Sequence, residues 1–450
     1  MGSISDFRRS REMTARLRRA VPGGSHTYAK GDDQFPELAP GVIARGAGCR
    51  VWDVDGNEFI EYGMGLRSVT LGHAYPPVVE AVRASLESGT NFTRPSALEL
   101  ECAEAFLGMI SGAEMVKFTK DGSTANTAAL KLARKATGRE LVAICADHPF
   151  FSYDDWFICT TTMDGGIPRA FREQTLGFRY NDLESAKALF AAHPGKIAAF
   201  FVEPARTDEP APGFLAGLRG LCRREGALMI FDEMITGFRW HQGGAQKLYG
   251  VVPDLSTFGK ALANGFALSA LCGRREIMSL GSRDRPEDDA FLLSTTHGAE
   301  SPALAAAIAT MQVYRSEPVV QHLHRQGERL AAGAREAARR HGVAQHFDVI
   351  GRPCSLLYAV RDRQGRPSQA FRTLFLQETI RRGVLAPSFV VSYSHADADV
   401  DRTVEAIDGA LAVHARALAD GVEKHLVGPP TRPVLERCWG PQPDDDSGES

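Results

Sequence analysis

The sequence contains no uninterrupted apolar run long enough to cross a bilayer, and its arginine-rich N-terminus lacks the apolar core of a signal peptide. Its formal net charge is only −3, which gives no indication of a nucleic-acid partner. The eight cysteines show no pairs with zinc or redox spacing, so we expect reduced thiols and no bound metal. These absences predict a cytoplasmic protein that binds neither membrane nor nucleic acid.

The chain is long enough to bury a large core, with 450 residues of which 44% are hydrophobic. From about residue 76 to 315, helical stretches alternate with short apolar runs, which is typical of an α/β domain around a mostly parallel sheet. The apolar run from Ser388 to Tyr393 predicts a further strand. We predict an N-terminal segment with a helix and a hairpin region, a large domain, a smaller α/β domain and a disordered tail, at 1–75, 76–315, 316–425 and 426–450.

An acidic residue at the end of one apolar run precedes a lysine beside a glycine by 28 residues: Asp232 and Lys260. A lysine amine can condense with an aldehyde, and a carboxylate that faces a pyridine nitrogen keeps that nitrogen protonated. Taken alone, Asp232 is as readily a turn former, and Lys260 is more often a solvated side chain. Together they predict a pyridoxal phosphate site, in which Lys260 forms the Schiff base and Asp232 faces the ring nitrogen.

The residues around this pair resemble those of a known family. The segments IFDEMITGFR at 230–239 and YGVVPDLSTFGK at 249–260 resemble the class III, or ω-type, pyridoxal-phosphate aminotransferases. Within that class the sequence looks most like the branch containing glutamate semialdehyde aminomutase and its sugar-modifying relatives. The resemblance runs from about residue 22 to about residue 410 and implies the large domain of fold-type I pyridoxal enzymes.

A glycine turn at the start of a helix is a candidate phosphate site. Gly122, Ser123 and Thr124 open a helix-like run, and the N–H groups of a helix N-terminus attract phosphate, although an ordinary capped helix has the same pattern. The resemblance assigns Gly122 and Ser123 to the cofactor phosphate, with Thr124 as a neighbour. Asp121 departs from the family pattern, and we expect it to turn away and cap the helix.

Three further residues are assigned to the cofactor by the resemblance. The family usually stacks an aromatic ring on the pyridine from a Tyr-His-Gly segment, whereas this chain has His148 at the aligned tyrosine position. Phe150 is the alternative source of that ring, and core packing is an equally open role for it. Glu203, in the segment FVEP, matches another strand end of the family and is expected to support the phenolic side of the cofactor.

The segment STTHGAE at 294–300 resembles the loop through which one subunit of these enzymes contacts the phosphate bound by its partner. The resemblance assigns this contact to Thr296, with Thr295 as the alternative. It implies a homodimer with shared active sites. Without the resemblance, a polar turn before an apolar helix is an equal interpretation.

The substrate-binding residues are less clearly indicated. The segment PGGSHTYAK at 22–30 matches an entry loop of the family, and Lys30 stands where the aminomutase is expected to have an arginine for a carboxylate. Leu66 replaces an expected active-site tryptophan. The candidate substrate contacts, several of which could merely cover a surface, are His26, Tyr28, Lys30, Arg67, Arg94 and Arg239.

We therefore expect an aminotransferase that takes its amino group from an amino acid, with L-glutamate as the expected donor. The half-reaction leaves pyridoxamine phosphate, and a carbonyl acceptor then receives the amino group. From the resemblance, the expected acceptor is an oxidised sugar or aminoglycoside intermediate of antibiotic biosynthesis. The alternatives are an aminomutase that moves nitrogen within one molecule, a decarboxylase, and a non-catalytic protein that binds pyridoxal phosphate.

Overall fold

The computed structural model describes residues 4–148, 150–283 and 293–432. Its strands, in chain order, are β1 Ile43–Ala47, β2 Arg50–Asp53, β3 Glu58–Glu61, β4 Met115–Thr119, β5 Leu141–Cys145, β6 Thr175–Phe178, β7 Ile197–Val202, β8 Leu228–Asp232, β9 Leu255–Phe258, β10 Ser269–Gly273, β11 Phe347–Ile350, β12 Leu357–Val360 and β13 Val384–Leu385. Its helices are α1 Arg8–Ala20, α2 Met64–Arg67, α3 Pro76–Glu87, α4 Ala97–Leu107, α5 Gly122–Thr137, α6 Asp155–Ile158, α7 Arg169–Glu173, α8 Leu183–Ala192, α9 Phe214–Glu225, α10 Gly244–Tyr249, α11 Arg275–Met278, α12 Ser301–Ser316, α13 Val319–Arg340, α14 Gln369–Ile380 and α15 Asp397–Asp420.

The large central sheet has seven strands in the order β4-β10-β9-β8-β7-β5-β6. Strands β5 to β9 pair in parallel, whereas β10 runs antiparallel to both of its neighbours. All six residues of β7 are buried, as expected for a strand that is covered on both faces. The predicted α/β fold with a mostly parallel central sheet is therefore confirmed.

The carboxyl ends of the parallel strands place the predicted site residues at one edge of this sheet. Asp232 is the last residue of β8, and Glu203 follows directly after β7. Lys260 comes two residues after the end of β9. Because β7, β8 and β9 are adjacent and parallel, these three residues are brought together although they are distant in sequence.

The first and last parts of the chain form a second, smaller sheet. Strands β1, β2 and β3 pair antiparallel in the part of the chain for which a hairpin region was predicted, and β13 adds to β3 in parallel. A third sheet consists of β11 and β12.

The proposed division of the chain into domains at residues 75, 315 and 425 stays a prediction. Of the predicted tail, Thr431 donates its backbone N–H to the Thr373 hydroxyl at 3.0 Å, and residues 433–450 lie outside the described part of the chain.

The strand expected from Ser388 to Tyr393 was wrong. Within this run only an isolated bridge forms, between Leu356 and Phe389. The N–H groups of Val390 and Tyr393 instead donate to carbonyl groups of the N-terminal segment. The run is apolar because it is buried between two parts of the fold, not because it belongs to a sheet.

Three expectations from the composition concern thiols, membrane spans and metal sites. The seven cysteines among them are all free and buried, as expected for reduced structural thiols. None of the helices in the described ranges is both long enough and apolar enough to span a bilayer. Within the same ranges there is no group of His, Cys, Asp and Glu side chains that could hold a metal ion.

Candidate active site

A pocket of about 370 Å³ lies where the ends of the parallel strands meet the start of α5. Its wall brings together six of the nine residues predicted to bind the cofactor: Gly122, Ser123, Phe150, Glu203, Asp232 and Lys260. Thr124, His148 and Thr296 are not part of this lining. An amine, a carboxylate and a helix N-terminus thus share one concave site, which is the donor set expected for pyridoxal phosphate.

Lys260 follows an extended glycine at the end of β9, and its own backbone is left-handed, with φ of 43°. A positive φ is uncommon for a residue with a side chain, and such strain is often concentrated at functional sites. Burial lowers the pKa of the Lys260 amine, although the nearby carboxylates of Asp232 and Glu203 oppose this shift. A lowered pKa increases the fraction of neutral, nucleophilic amine.

Asp232 is held by a buried hydrogen-bond network. Its Oδ1 accepts from the Met234 N–H at 2.9 Å, and its Oδ2 accepts from Asn126 Nδ2 at 2.8 Å. The Asn126 Oδ1 in turn accepts from the Thr257 hydroxyl at 2.6 Å, which fixes the orientation of the amide. Burial raises the pKa of Asp232, while Lys260 and both N–H donors favour the ionised form. A cationic N–H group placed against this carboxylate would favour ionisation further.

The start of α5 is shaped to accept an anion. Asp121 is the N-cap: its carboxylate accepts from the Thr124 N–H at 2.8 Å and from the Thr124 hydroxyl at 3.1 Å, so the predicted cap is confirmed. Both polar groups of Thr124 are therefore engaged. Gly122 is needed for space, because a Cβ there would lie 3.0 Å from the Met234 sulfur. Its N–H and that of Ser123 precede the first helical hydrogen bond.

Glu203 is the second buried carboxylate of the pocket. Burial raises the pKa of Glu203 to about 7, even though Arg206 opposes this, with its Nε 3.4 Å from Oε2. The Glu203 N–H donates to His148 Nδ1 at 3.1 Å. This group can therefore change its charge near neutral pH beside the reacting amine.

The structure separates the two residues proposed to stack on the cofactor. His148 is buried, and its ring centroid lies 5.0 Å from that of Tyr180 and 6.0 Å from that of Phe151. Phe150 is 44% exposed and lines the pocket. The position of Phe150 in the pocket wall favours Phe150 as the stacking ring. His148 instead accepts the hydrogen bond from the Glu203 N–H and so holds the backbone at Glu203.

None of the six candidate substrate residues is part of the pocket lining. His26, Tyr28 and Lys30 are exposed in the N-terminal turns, and Arg94 is exposed before α4. Arg239 is fully buried, and its guanidinium donates to the backbone oxygens of Ile235 and Arg67 and to the Thr70 hydroxyl, at 2.7, 2.6 and 2.9 Å. These contacts give Arg239 a role in holding backbone rather than in meeting a ligand.

Arg67 belongs to a strained segment close to the site. Met64, Leu66 and Arg67 all have positive φ, and Leu66 lies at 56°. Burial lowers the pKa of Arg67 to about 10, and the neighbouring Arg239 acts in the same direction. Arg67 and Arg239 both lower the pKa of the Lys260 amine, and the effect of Arg67 is the larger of the two.

The loop that contains Thr296 does not line the pocket of its own chain. Thr296 is exposed, and its backbone oxygen accepts from Asn91 Nδ2 at 3.1 Å. A few residues later, Glu300 forms an ion pair of 2.7 Å with Lys120, which lines the pocket. The loop is therefore anchored beside the pocket mouth with the Thr296 side chain free to face outward.

Sequence reasoning missed Asn126, Met234 and Arg206. The role of Asn126 could have been predicted, because it is a single amide on the alanine-rich face of α5 that packs against the sheet, and a buried amide needs hydrogen-bond partners. Met234 and Arg206 follow the two predicted strand ends within three residues. Their positions depend on how the chain turns after each strand, which local composition does not specify.

Comparisons with known proteins agree with this geometry. The family profile described as aminotransferase class-III matches residues 28–410. A curated glutamate-1-semialdehyde 2,1-aminomutase of Desulforamulus reducens is 34% identical over 433 residues, which cover 91% of this chain and 99% of that relative.

Two solved structures share the fold over nearly the whole chain. The FumI protein of Sphingopyxis sp. MTA144, solved in its PLP internal aldimine form, has a TM-score of 0.85 and 28% identity, and covers 92% of this chain and 98% of its own. An omega-transaminase from Sphaerobacter thermophilus has a TM-score of 0.81 and 26% identity, covering 90% and 98%. The predicted fold-type I architecture is thereby confirmed.

Proposed function

This chain belongs to the class III aminotransferases, and we propose that it moves an amino group between the carbons of a small amino-aldehyde, as a 2,1-aminomutase does. As a member of that class it is an enzyme that uses pyridoxal phosphate. The observation that carries the cofactor assignment is the convergence of Lys260, Asp232 and the start of α5 in one pocket.

The pocket fits this cofactor in three ways. The N–H groups of Gly122 and Ser123 and the Ser123 hydroxyl would hold the phosphate, and Asp232 would hold the pyridine N–H. Phe150 and Met234 line the walls between them. When bound, pyridoxal phosphate supplies an aldehyde that exchanges with amines and a ring that accepts electrons from the substrate carbon.

Lys260 is then the group that moves protons. Once a substrate amine has displaced it, its free amine can take a proton from the substrate carbon and return it at another position. Its lowered pKa suits this role, because the base must be neutral to accept a proton. Asp232 would hold the protonated ring nitrogen, and Asn126 keeps the Asp232 carboxylate oriented through its hydrogen bond of 2.8 Å.

The choice of reaction rests on similarity over the full length of the chain. The 34% identity to an aminomutase over 91% of the chain supports that reaction better than the sugar or aminoglycoside acceptor expected from the sequence. In an aminomutase, both amino transfers occur on one molecule, so no external donor is consumed.

A second candidate is an aminotransferase that uses an amino acid donor and a separate carbonyl acceptor, including an oxidised sugar. Lys30 and Leu66 favour it, because they differ from the arginine and tryptophan expected in the aminomutase. Lysine lacks the planar fork that binds a carboxylate through two hydrogen bonds. The glutamate-like end of an aminomutase substrate would therefore be held less firmly.

The two reactions can be separated with the cofactor-loaded enzyme. We expect glutamate-1-semialdehyde, supplied without an amino donor, to be converted to the isomer with the amino group on C1 and the carbonyl on C2, measured by chromatography. In a parallel incubation with L-glutamate alone, 2-oxoglutarate release reports an external donor. Release of 2-oxoglutarate without isomer formation would reject the aminomutase and select the second candidate.

We further propose that the active enzyme is a homodimer in which Thr296 contacts the phosphate bound by the partner subunit. The proposal is supported by the exposure of Thr296 and by its position outside the pocket of its own chain. The anchoring of the same loop by Glu300 and Lys120 beside the pocket mouth is consistent with a neighbouring subunit at that face.

Mixed dimers test this arrangement. Thr296→Ala subunits should bind the cofactor more weakly, and Lys260→Ala subunits should be inactive. In a mixed dimer, one site regains both native residues only if Thr296 acts across the interface. Turnover at limiting cofactor should then rise well above that of either parent. If mixing restores nothing in dimers shown to be hybrid by mass spectrometry, Thr296 does not act in trans.

A further inference from the structure

A second and larger cavity, of about 690 Å³, lies in the C-terminal part of the chain and shares no lining residue with the active-site pocket. It is formed by α14, α15 and the turn that follows α15. We call it the basic cleft. Only Ala406 and Val413 of its lining residues are apolar. Five lining side chains are cationic and two are carboxylates: Arg381, Arg382, Arg402, Arg416 and Lys424, and Glu378 and Glu405.

One wall of the basic cleft is held rigidly by a buried carboxylate. Arg382 Nη1 donates to the Glu378 backbone oxygen at 2.7 Å and to Oε2 at 2.6 Å, and Arg381 Nη1 lies 3.2 Å from Oε1. Burial alone would raise the pKa of Glu378, but the hydrogen bonds from Arg382 and Gln377 hold it below its usual value. Glu378 is therefore an ionised anchor for two adjacent guanidinium groups.

Helix α15 leaves space for one of these guanidinium groups. Gly409 lies in the interior of the helix. A Cβ at this position would overlap the Nε of Arg382, so a larger residue would require the arginine side chain to move. The glycine thus allows the guanidinium to lie across the helix.

Two further cations line the basic cleft beside this anchored pair. Arg416 and Lys424 are both exposed, and within the described ranges neither comes within ion-pair distance of a carboxylate, although Lys424 is near enough to Asp420 to help lower the pKa of that group. Cations concentrated in a concave site repel one another and attract small anions. A bound anion would satisfy both side chains and relieve that repulsion.

We propose that the basic cleft binds a small polyanion carrying phosphate groups. Guanidinium groups match phosphate oxygens through paired hydrogen bonds, and an excess of cations favours a ligand with more than one negative charge. The volume is in the range of small-molecule sites, and the scarcity of apolar lining excludes a mainly hydrophobic ligand. This inference stands independently of the reaction proposed above.

Calorimetric titration of the cofactor-loaded enzyme with inorganic pyrophosphate at constant ionic strength tests the proposal. Loading with pyridoxal phosphate keeps the phosphate-binding end of α5 occupied, so that pyrophosphate reports on the basic cleft. We expect saturable binding to the wild type. The double variant Arg416→Gln/Lys424→Gln should bind on the order of a hundredfold more weakly, since each of the two lost charge-assisted contacts contributes about tenfold.

A matched control has the same change in net charge elsewhere. Arg223 and Arg224 are exposed at the end of α9, and the double variant Arg223→Gln/Arg224→Gln should retain wild-type affinity. Gly409→Ala, which displaces Arg382, should weaken binding without removing a charge. The proposal is overturned if the wild type does not bind pyrophosphate, or if both double variants lose affinity equally.

Discussion

Replacing Lys260 with alanine should reduce turnover by on the order of 10⁴-fold, because the variant loses both the covalent attachment of the cofactor and the base that moves the proton. The cofactor itself should remain bound, since the start of α5 and Asp232 are unchanged. Turnover with glutamate-1-semialdehyde measures the loss of activity. Borohydride reduction followed by mass spectrometry measures the loss of the covalent attachment, because only a cofactor linked to lysine becomes permanently attached.

Lys120 provides the matched control, because it is the other lysine that lines the pocket. Its amine is already engaged, by the Glu300 carboxylate at 2.7 Å and the Ala267 oxygen at 3.1 Å. Lys120→Ala should therefore keep the reducible link at Lys260. A link that persists in Lys260→Ala and disappears in Lys120→Ala would transfer the catalytic role to the other lysine.

The parts of the site that could be predicted are those carried by strand ends. Asp232 and Lys260 each follow an apolar run, and the alternation of helices and strands indicates a parallel sheet whose carboxyl ends share one edge. Those two facts are enough to bring the residues together. The lengths of strands β5 and β7 could also be predicted from the sequence, because a buried parallel strand is a continuous apolar run that ends at a polar turn.

What could not be predicted depends on contacts between segments that are far apart in sequence. Asn126 is an ordinary polar residue of α5 until the sheet places Asp232 and Thr257 against it. The run from Ser388 to Tyr393 has the apolar pattern of a strand, but its N–H groups meet the N-terminal segment. Arg239 resembles a ligand-binding arginine in the sequence, yet three protein oxygens occupy its guanidinium.

Asp232→Asn should lower turnover by about 10³-fold while leaving the cofactor bound. The substitution preserves the size of the side chain but removes the negative charge that keeps the pyridine N–H protonated, so the ring accepts electrons less readily. The new amide would also bring its NH2 group against one of the two donors that the carboxylate now accepts from, Asn126 Nδ2 at 2.8 Å or the Met234 N–H at 2.9 Å. Asn126→Ala, which keeps the charge and loses only its support, should cost about tenfold.

The neighbouring carboxylate separates this electronic effect from a loss of folding. Glu233 is also fully buried, but it accepts hydrogen bonds from the N–H groups of Ala245 and Gln246, at 2.7 and 2.8 Å, and from the Thr236 hydroxyl. Glu233→Gln should therefore destabilise the fold by about 1–3 kcal/mol, measured by denaturant unfolding, and leave turnover per folded molecule nearly unchanged. Equal losses of turnover per folded molecule in Asp232→Asn and Glu233→Gln would mean that Asp232 acts through structure alone. A loss confined to Asp232→Asn assigns the effect to the charge that faces the ring.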